Sequence, residues 1–234
     1  MNKSRPIMSR DMIAVTSIKR TDYAPWLLER HYARRLCPVS HAFGAYADGE
    51  LVGVVTYGLP ASKHLCDGIC GPRWACSVFE LNRLCCESAR NLASQIVGQS
   101  LRMLPRPSVV VSFADSAQGH VGYIYQATNW IYTGMTDADR KTPRKDWVLR
   151  GREGMHSRAL THMGNGAELR QKYGEDFIAV ERKPKHRYVY FVGSKSQRRS
   201  MRAALRYPVE PYPKGETRRY DASAPVQTQG VLAI

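Results

Sequence analysis

Residues 108–134 read SVVVSFADSAQGHVGYIYQATNWIYTG. The first six, Ser108–Phe113, form a continuous apolar run of strand length. Such a run, rather than an alternating one, is the mark of a strand covered on both faces. Asp115 and Ser116 follow where that strand ends, and in open α/β sheets ligands gather beyond the carboxyl ends of strands. The pair also suits a helix cap. Gln118–Trp130 reads as a helix weakened by Gly119 and Gly122, and Ile131–Thr133 reads as a further strand that would pair with Trp147–Leu149 around a basic loop.

Working outward, Asn91–Leu104 places Leu92, Ile96, Val97, Leu101 and Leu104 on one helical face. Before it lie a strand, Ser77–Cys85, and a Gly-, Cys- and Pro-rich loop, Leu59–Ala75. His41–Ala47 and Leu51–Tyr57 flank Asp48-Gly49, a hairpin signal. Tyr23–Arg35 is expected as a helix with Pro25 in its first turn and Leu28, Tyr32 and Leu36 in register. Ile13–Ile18 is a β-branched strand candidate. Downstream, Gly151–Glu175 is polar and irregular, Arg187–Val192 is a strand, and Ser194 caps a helix reaching about Leu205. The order is that of an α/β (α+β) chain: a mixed central sheet flanked by helices, with a basic C-terminal extension. The expected division is a core at 1–150, an extension packed on it at 151–219 (strand plus helix), and a flexible tail at 220–234.

With 43% apolar and 24% charged residues, the chain of 234 residues has enough apolar surface for a sizeable core. It has no run of 18 apolar residues, so no membrane span is expected. Met1–Arg10 holds Lys3, Arg5 and Arg10 with no apolar stretch behind them, which argues against a secretory leader. The six cysteines are then expected as reduced thiols in a cytoplasm. His64, Cys66, Cys70 and Cys76 lack a Cys-x2-Cys pair and make a weak zinc signal. Charge says most about partners. Lys and Arg number 35 against 20 Asp and Glu, a net of +15. Residues 134–219 alone carry 21 basic and 10 acidic side chains, so a polyanion is the default partner.

Three stretches carry a resemblance: Glu29-Arg-His-Tyr-Ala-Arg-Arg35, Phe79-Glu-Leu-Asn-Arg-Leu84, and VVVSFADSAQGHVGYIYQATNWIYTG from Val109. Arg187-Tyr-Val-Tyr-Phe191 and Pro211-Tyr-Pro-Lys-Gly215 extend it over most of the chain. Together they resemble the Mom family of DNA-modification proteins of Mu-like phages, a divergent GNAT-fold group. The resemblance implies a GNAT-like sheet and conversion of adenine to N6-carbamoylmethyladenine in double-stranded DNA. That modification is anti-restriction, and it would act in the host cytoplasm. One departure stands out. GNAT acetyltransferases cradle a CoA pyrophosphate on a glycine-rich loop before a helix, whereas Cys86–Ala93 has no glycine and brings Glu87. Acetyl-CoA is therefore a doubtful donor, and the donor of the transferred group stays unnamed.

His31, Tyr32, Glu80, Asp115 and Tyr132 are the candidate catalytic residues. The family resemblance puts His31 and Tyr32 beside the cleft. It puts Glu80 near the general base of many GNAT enzymes, and Tyr132 where a tyrosine acid is often found. Asn82, Arg83, Ser116 and Arg90 are candidate substrate contacts, because polar groups in an apolar strand or at a helix start must be paired or face a ligand. His31 with Glu80 or Asp115 would supply the N and O ligands a non-haem metal such as iron accepts. The structural alternatives are a surface His31, a core Tyr32, a Glu80–Arg83 network and an Asp115 cap.

Lys195, Arg198, Arg199 and Arg202 recur at helical spacing within a stretch, 182–206, that holds nine Lys or Arg and no acidic residue. Arg140, Lys141, Arg144 and Lys145 form a second basic loop. Both are expected to meet DNA phosphates. Reaching adenine N6 for chemistry usually requires flipping the base, and Tyr123, Tyr125 or Trp130 would serve to stack on it. Two other readings compete: a GNAT N-acetyltransferase for a small amine or protein, and a DNA-binding module without catalysis. The oligomeric state is left open, a dimer being one option.

Overall fold

Asp48 and Gly49 both have left-handed backbone, φ 50° and 81°, the geometry of the tight turn that their sequence favours. They join β2 (His41–Ala47) to β3 (Glu50–Gly58) in register from Ala47 opposite Glu50 to His41 opposite Tyr57. In this computed structural model, which describes residues 13–60, 62–138, 140–152, 160 and 163–215, that hairpin belongs to a seven-stranded sheet. Its order is β1-β2-β3-β4-β5-β9-β6. The remaining strands are β1 (Ala14–Ser17), β4 (Val78–Cys86), β5 (Ser108–Asp115), β6 (Ile131–Met135) and β9 (Lys185–Val192). β4 and β5 pair in parallel and every other neighbouring pair is antiparallel.

The parallel pair is short. Its register runs from Val78 opposite Val109 to Glu80 opposite Val111 and ends there. Beyond that point β4 continues against β3, and β5 continues against β9 as far as Asp115 opposite Lys185. The two strands therefore part toward their carboxyl ends. Ser112 spans the fork: its hydroxyl donates to the Leu81 carbonyl at 2.9 Å and lies 2.8 Å from the Tyr125 hydroxyl. Its single proton goes to the carbonyl, so Tyr125 is the donor to Ser112.

Helix α4 (Leu92–Met103) covers one face of the sheet, with Leu92, Ile96 and Val97 fully buried against Val110, Leu81 and Tyr57. Burying each such side chain is worth about 1.5–3 kcal/mol. The other face carries α2 (Lys63–Cys70), α3 (Pro72–Ala75) and α7 (Lys195–Ala203), packed through Ile69, Trp74 and Met201 onto Val109, Val111 and Val189. Val109–Val111 is thus enclosed on both faces, as its sequence implies. A separate two-stranded sheet, β7 (Lys145–Leu149) and β8 (Phe177–Glu181), packs with α6 (Gly166–Tyr173) around Leu149, Leu160, Leu169 and Phe177.

Several local expectations are corrected. The first helix, α1 (Arg20–Pro25), passes into a π turn, Trp26–Arg30, and stops at His31. Pro25 has no N–H to give a regular ladder, and the buried side chains are Trp26 and Leu27. The Leu28–Tyr32–Leu36 register does not form. Leu59–Ala75 is not a loop but contains α2 and α3, and α6 lies within the stretch expected to be irregular. Gln118–Trp130 shrinks to α5 (Tyr123–Ala127), because Gly119 and Gly122 adopt φ of 68° and 86°. β6 and β7 do not pair: β6 lies on β9 and β7 on β8. Nor does a boundary fall at residue 150, since β9 from the extension is inserted between β5 and β6. The expected tail at 220–234 lies outside the described residues.

After α7, residues 206–215 run as a strap around the β6 edge. Arg206 N–H donates to the Ile69 carbonyl, Glu210 N–H to that of Tyr132, and the Tyr212 hydroxyl to that of Trp130. Gln126 Nε2 then donates to the Pro213 carbonyl. No helix among the described residues is long and apolar enough to cross a membrane.

Candidate active site

The cleft begins where β4 and β5 part. His31 enters it because the π turn ends with His31 N–H on the Trp26 carbonyl, after which His31 itself is extended. π turns recur at functional sites for this reason: they redirect a single residue. The following loop is tied to the sheet. Asn82, the extra residue of a bulge between Thr56–Arg83 and Tyr57–Leu81, accepts from Thr56 Oγ1 at 2.6 Å and donates to the Pro38 carbonyl at 2.8 Å. Gly58 allows that approach, since a Cβ there would stand 2.0 Å from the Pro38 oxygen.

His31 is 6% exposed, and its Nδ1 accepts from the Ala33 N–H at 3.0 Å. That bond places the ring proton on Nε2. Burial, reinforced by Arg83, His120 and Arg35, lowers its pKa to about 4, so the imidazole is neutral near pH 7. Its ring stacks on Tyr32 with centroids 4.4 Å apart. Tyr32 also meets the His120 ring edge-on at 6.3 Å. Burial raises the Tyr32 pKa, while Lys185 and Asp115 act on it in opposite directions and Arg83 and Arg35 lower it. Asp115 is held twice: Oδ2 by Lys185 Nζ at 2.7 Å and Oδ1 by the Ala117 N–H at 3.1 Å. His120 N–H returns to the Asp115 carbonyl. Burial lowers the His120 pKa and Asp115 opposes it.

The structure thus gathers His31, Tyr32, Arg83 and Asp115, and adds Arg35, His120 and Lys185, which sequence reasoning did not single out. Gly119 and Gly122 flanking His120 were the available signal; Lys185, distant in sequence, gave none. Glu80 adjoins the group: burial raises the pKa values of Cys37, Cys66 and Tyr125, and the Glu80 charge adds a smaller push in the same direction. Arg83 Nη1 donates to the Asn82 carbonyl, and its Nε is buried with no partner among the described residues.

Other expected members lie elsewhere. Tyr132 is on β6, two strands from β5, with its hydroxyl 3.0 Å from His186 Nδ1 and its ring against Tyr188. Ser116 donates to the Pro184 carbonyl and Asn82 is spent on the loop. Arg90 is exposed ahead of α4. Among the described residues no three His, Cys, Asp or Glu side chains converge as metal ligands. The iron-type set of His31, Glu80 and Asp115 is not assembled, since Asp115 is spent on Lys185 and His31 Nδ1 on the backbone. The residues before α4 do not fit a CoA pyrophosphate either. Glu87 N–H is used by the Val52 carbonyl, the Glu87 carboxylate is 3.9 Å from Arg30, and Asn91 is left-handed at φ 62°. All six cysteines are free thiols.

On the opposite edge, Lys195, Arg198, Arg199 and Arg202 line an open groove of about 600 Å³ with Asn129, Ile131 and β9 residues. All four are exposed, and none meets a carboxylate among the described residues. In the second basic loop Arg144 pairs with Asp137 at 3.0 Å, Lys145 stands opposite Glu181, and Arg140 and Lys141 are exposed.

The strand order and the single parallel pair, from which the cleft opens, define an α/β protein built on one large mixed sheet flanked by helices. The match to a family model is more specific: residues 12–214 fit the Mom protein family, and the chain belongs to that family. It is 25% identical over 194 residues to methylcarbamoylase mom of Escherichia phage Mu, covering 79% of this chain and 77% of that protein. Among solved structures, a Bacillus subtilis acetyltransferase in complex with CoA covers 77% of this chain and 99% of its own, at 11% identity and a TM-score of 0.38. An apo agmatine N-acetyltransferase variant covers 77% and 100%, at 12% identity and a TM-score of 0.40.

Proposed function

We propose that this chain is a transferase that converts adenine to N6-carbamoylmethyladenine in double-stranded DNA, and that it thereby shields phage DNA from restriction in the host cytoplasm. The observation that carries this reading is membership of the Mom family, with a relative named as a methylcarbamoylase. The cleft and the basic groove support it from separate directions. Adenine N6 is a weak nucleophile because its lone pair is delocalised into the ring, so the enzyme must orient the amine and hold its proton. Neutral His31 offers Nε2–H as a donor, and it is too engaged at Nδ1 to act as the base. The buried Nε of Arg83 is a donor awaiting an acceptor. Lys185 keeps Asp115 fixed at the mouth of the fork, which orients a group by charge without a mobile side chain. Meanwhile Lys195, Arg198, Arg199 and Arg202, exposed and without a carboxylate partner among the described residues, are suited to phosphates, with Arg140 and Lys141 as outlying contacts.

The test is mass spectrometry of nucleosides from plasmid co-expressed with the chain. N6-carbamoylmethyldeoxyadenosine is the expected product. Unmodified deoxyadenosine throughout, with soluble protein present, removes the reading.

A further inference from the structure

We infer that the open face of the Tyr32 ring is the platform on which the extruded adenine stacks. The inference rests on the adenine-modification reading and adds to it the place of the base. A flipped base needs an aromatic or apolar surface to replace the stacking it loses, and that surface must be exposed, flat and rigid. Among the described residues only Tyr32 and Tyr212 are aromatic and exposed. Tyr212 lies on the strap with its hydroxyl on the Trp130 carbonyl, beside β6 rather than the fork. The aromatics favoured from sequence are occupied. Trp130 is fully buried, and the Tyr125 hydroxyl is held at Ser112 inside the fork. Tyr123 has its hydroxyl against the strap, where a Cβ on Gly215 would meet it at 2.8 Å.

Tyr32 has the remaining properties. One face of its ring is covered by His31, stacked at 4.4 Å and 29°. His31 is itself immobile, being 6% exposed and bonded to the Ala33 N–H. The result is a two-layer stack fixed from below, to which a planar base adds a third layer. Tyr32 keeps 42% of its surface in solvent although His31 is stacked on it. His120 closes one side edge-on. Around the rim stand Arg35, Arg83 and Lys185 with Asp115, cations that suit the phosphate of an extruded nucleotide. In this arrangement His31 is a positioning residue that holds the platform and takes no proton.

The experiment compares Tyr32→Phe, Tyr32→Trp and Tyr32→Leu by the fraction of modified adenine in co-expressed plasmid. Stacking is worth about 1–3 kcal/mol per base, or roughly 5- to 150-fold. Tyr32→Phe and Tyr32→Trp are expected within about threefold of wild type and Tyr32→Leu at least about tenfold lower. A fall in Tyr32→Phe as deep as in Tyr32→Leu would assign the role to the hydroxyl and overturn the platform, as would wild-type modification by Tyr32→Leu. A wild-type chain that modifies nothing removes the adenine reading itself, which separates the two failures. A second measurement needs no turnover: quenching of 2-aminopurine deoxyribonucleoside 5′-monophosphate on titration with purified protein. Wild type and Tyr32→Phe are expected to quench it. Equal quenching by wild type and Tyr32→Leu, or none by wild type, overturns the proposal.

Discussion

The cleft and the basic groove are both rich in charge, but they hold it in opposite ways. In the cleft the central groups are tied to one another: Asp115 to Lys185 and a backbone N–H, and His31 to Ala33 and Tyr32. Its members come from positions 31–35, 83, 112–120 and 185. In the groove Lys195, Arg198, Arg199 and Arg202 come from one helix and have no acidic partner among the described residues. An interlocked site fixes geometry, whereas an array of free cations provides affinity without geometry. Chemistry and DNA holding are therefore separable here, and mutations in the two regions should behave differently.

The largest expected effect tests the interlock. Asp115→Asn should lower plasmid modification by about 10²-fold or more while DNA affinity changes little. Lys185→Met should do much of the same damage, and the double variant should be no worse than the poorer single one. Additive losses would break the contrast, since residues in one network couple and distant ones do not. Next in size is the groove. Replacing Lys195, Arg198, Arg199 and Arg202 by Ala should weaken binding to every DNA sequence alike. The slope of log K against log salt should drop by about 0.9 for each lost phosphate contact. Here the single variants should add up; an unchanged slope would place DNA on another face.

A third test uses acid. His31 has a folded pKa of about 4 against an ordinary 6.5, so the unfolded chain binds a proton that the folded chain resists. Stability from this group is complete above about pH 6.5 and is lost as pH falls toward 4, a loss of about 3 kcal/mol at 1.36 kcal/mol per pH unit. Melting temperatures from pH 7 to 5 should fall less for His31→Gln than for wild type. Parallel pH curves would mean that His31 is not held neutral by the cleft. The smallest effect is Ser194→Ala, which removes the bond from Gln197 N–H to Ser194 Oγ and should cost about 1 kcal/mol in thermal or chemical melts. The groove cations ride on that helix, but modification should survive.

The same contrast explains what could be read from sequence. The Asp48-Gly49 hairpin, the α4 face, the Val109–Val111 run and the Ser194 cap are each encoded by residues a few positions apart, so local patterns expose them. The groove cations share that property. The cleft does not. No periodicity links Asp115 to Lys185, and the π turn that delivers His31 looks like ordinary helix until Pro25 is set against the burial of Trp26 and Leu27. Asn82 read as a substrate contact because a polar residue in an apolar strand demands a partner. The partners are Thr56 and the Pro38 carbonyl, and the latter is a backbone atom that no sequence pattern points to. Tyr132 carries only the local signal of a strand, and which strand lies beside it is settled by β9.

That insertion of β9 between β5 and β6 has a consequence for synthesis. On a ribosome β5 emerges about seventy residues before the strand that covers its edge. During that interval Val109–Phe113 presents a run of unpaired amides and β-branched side chains, the type of edge that recruits other chains. Nascent chains stalled before Lys185 should accordingly be held by chaperones, and those released after Val192 should not.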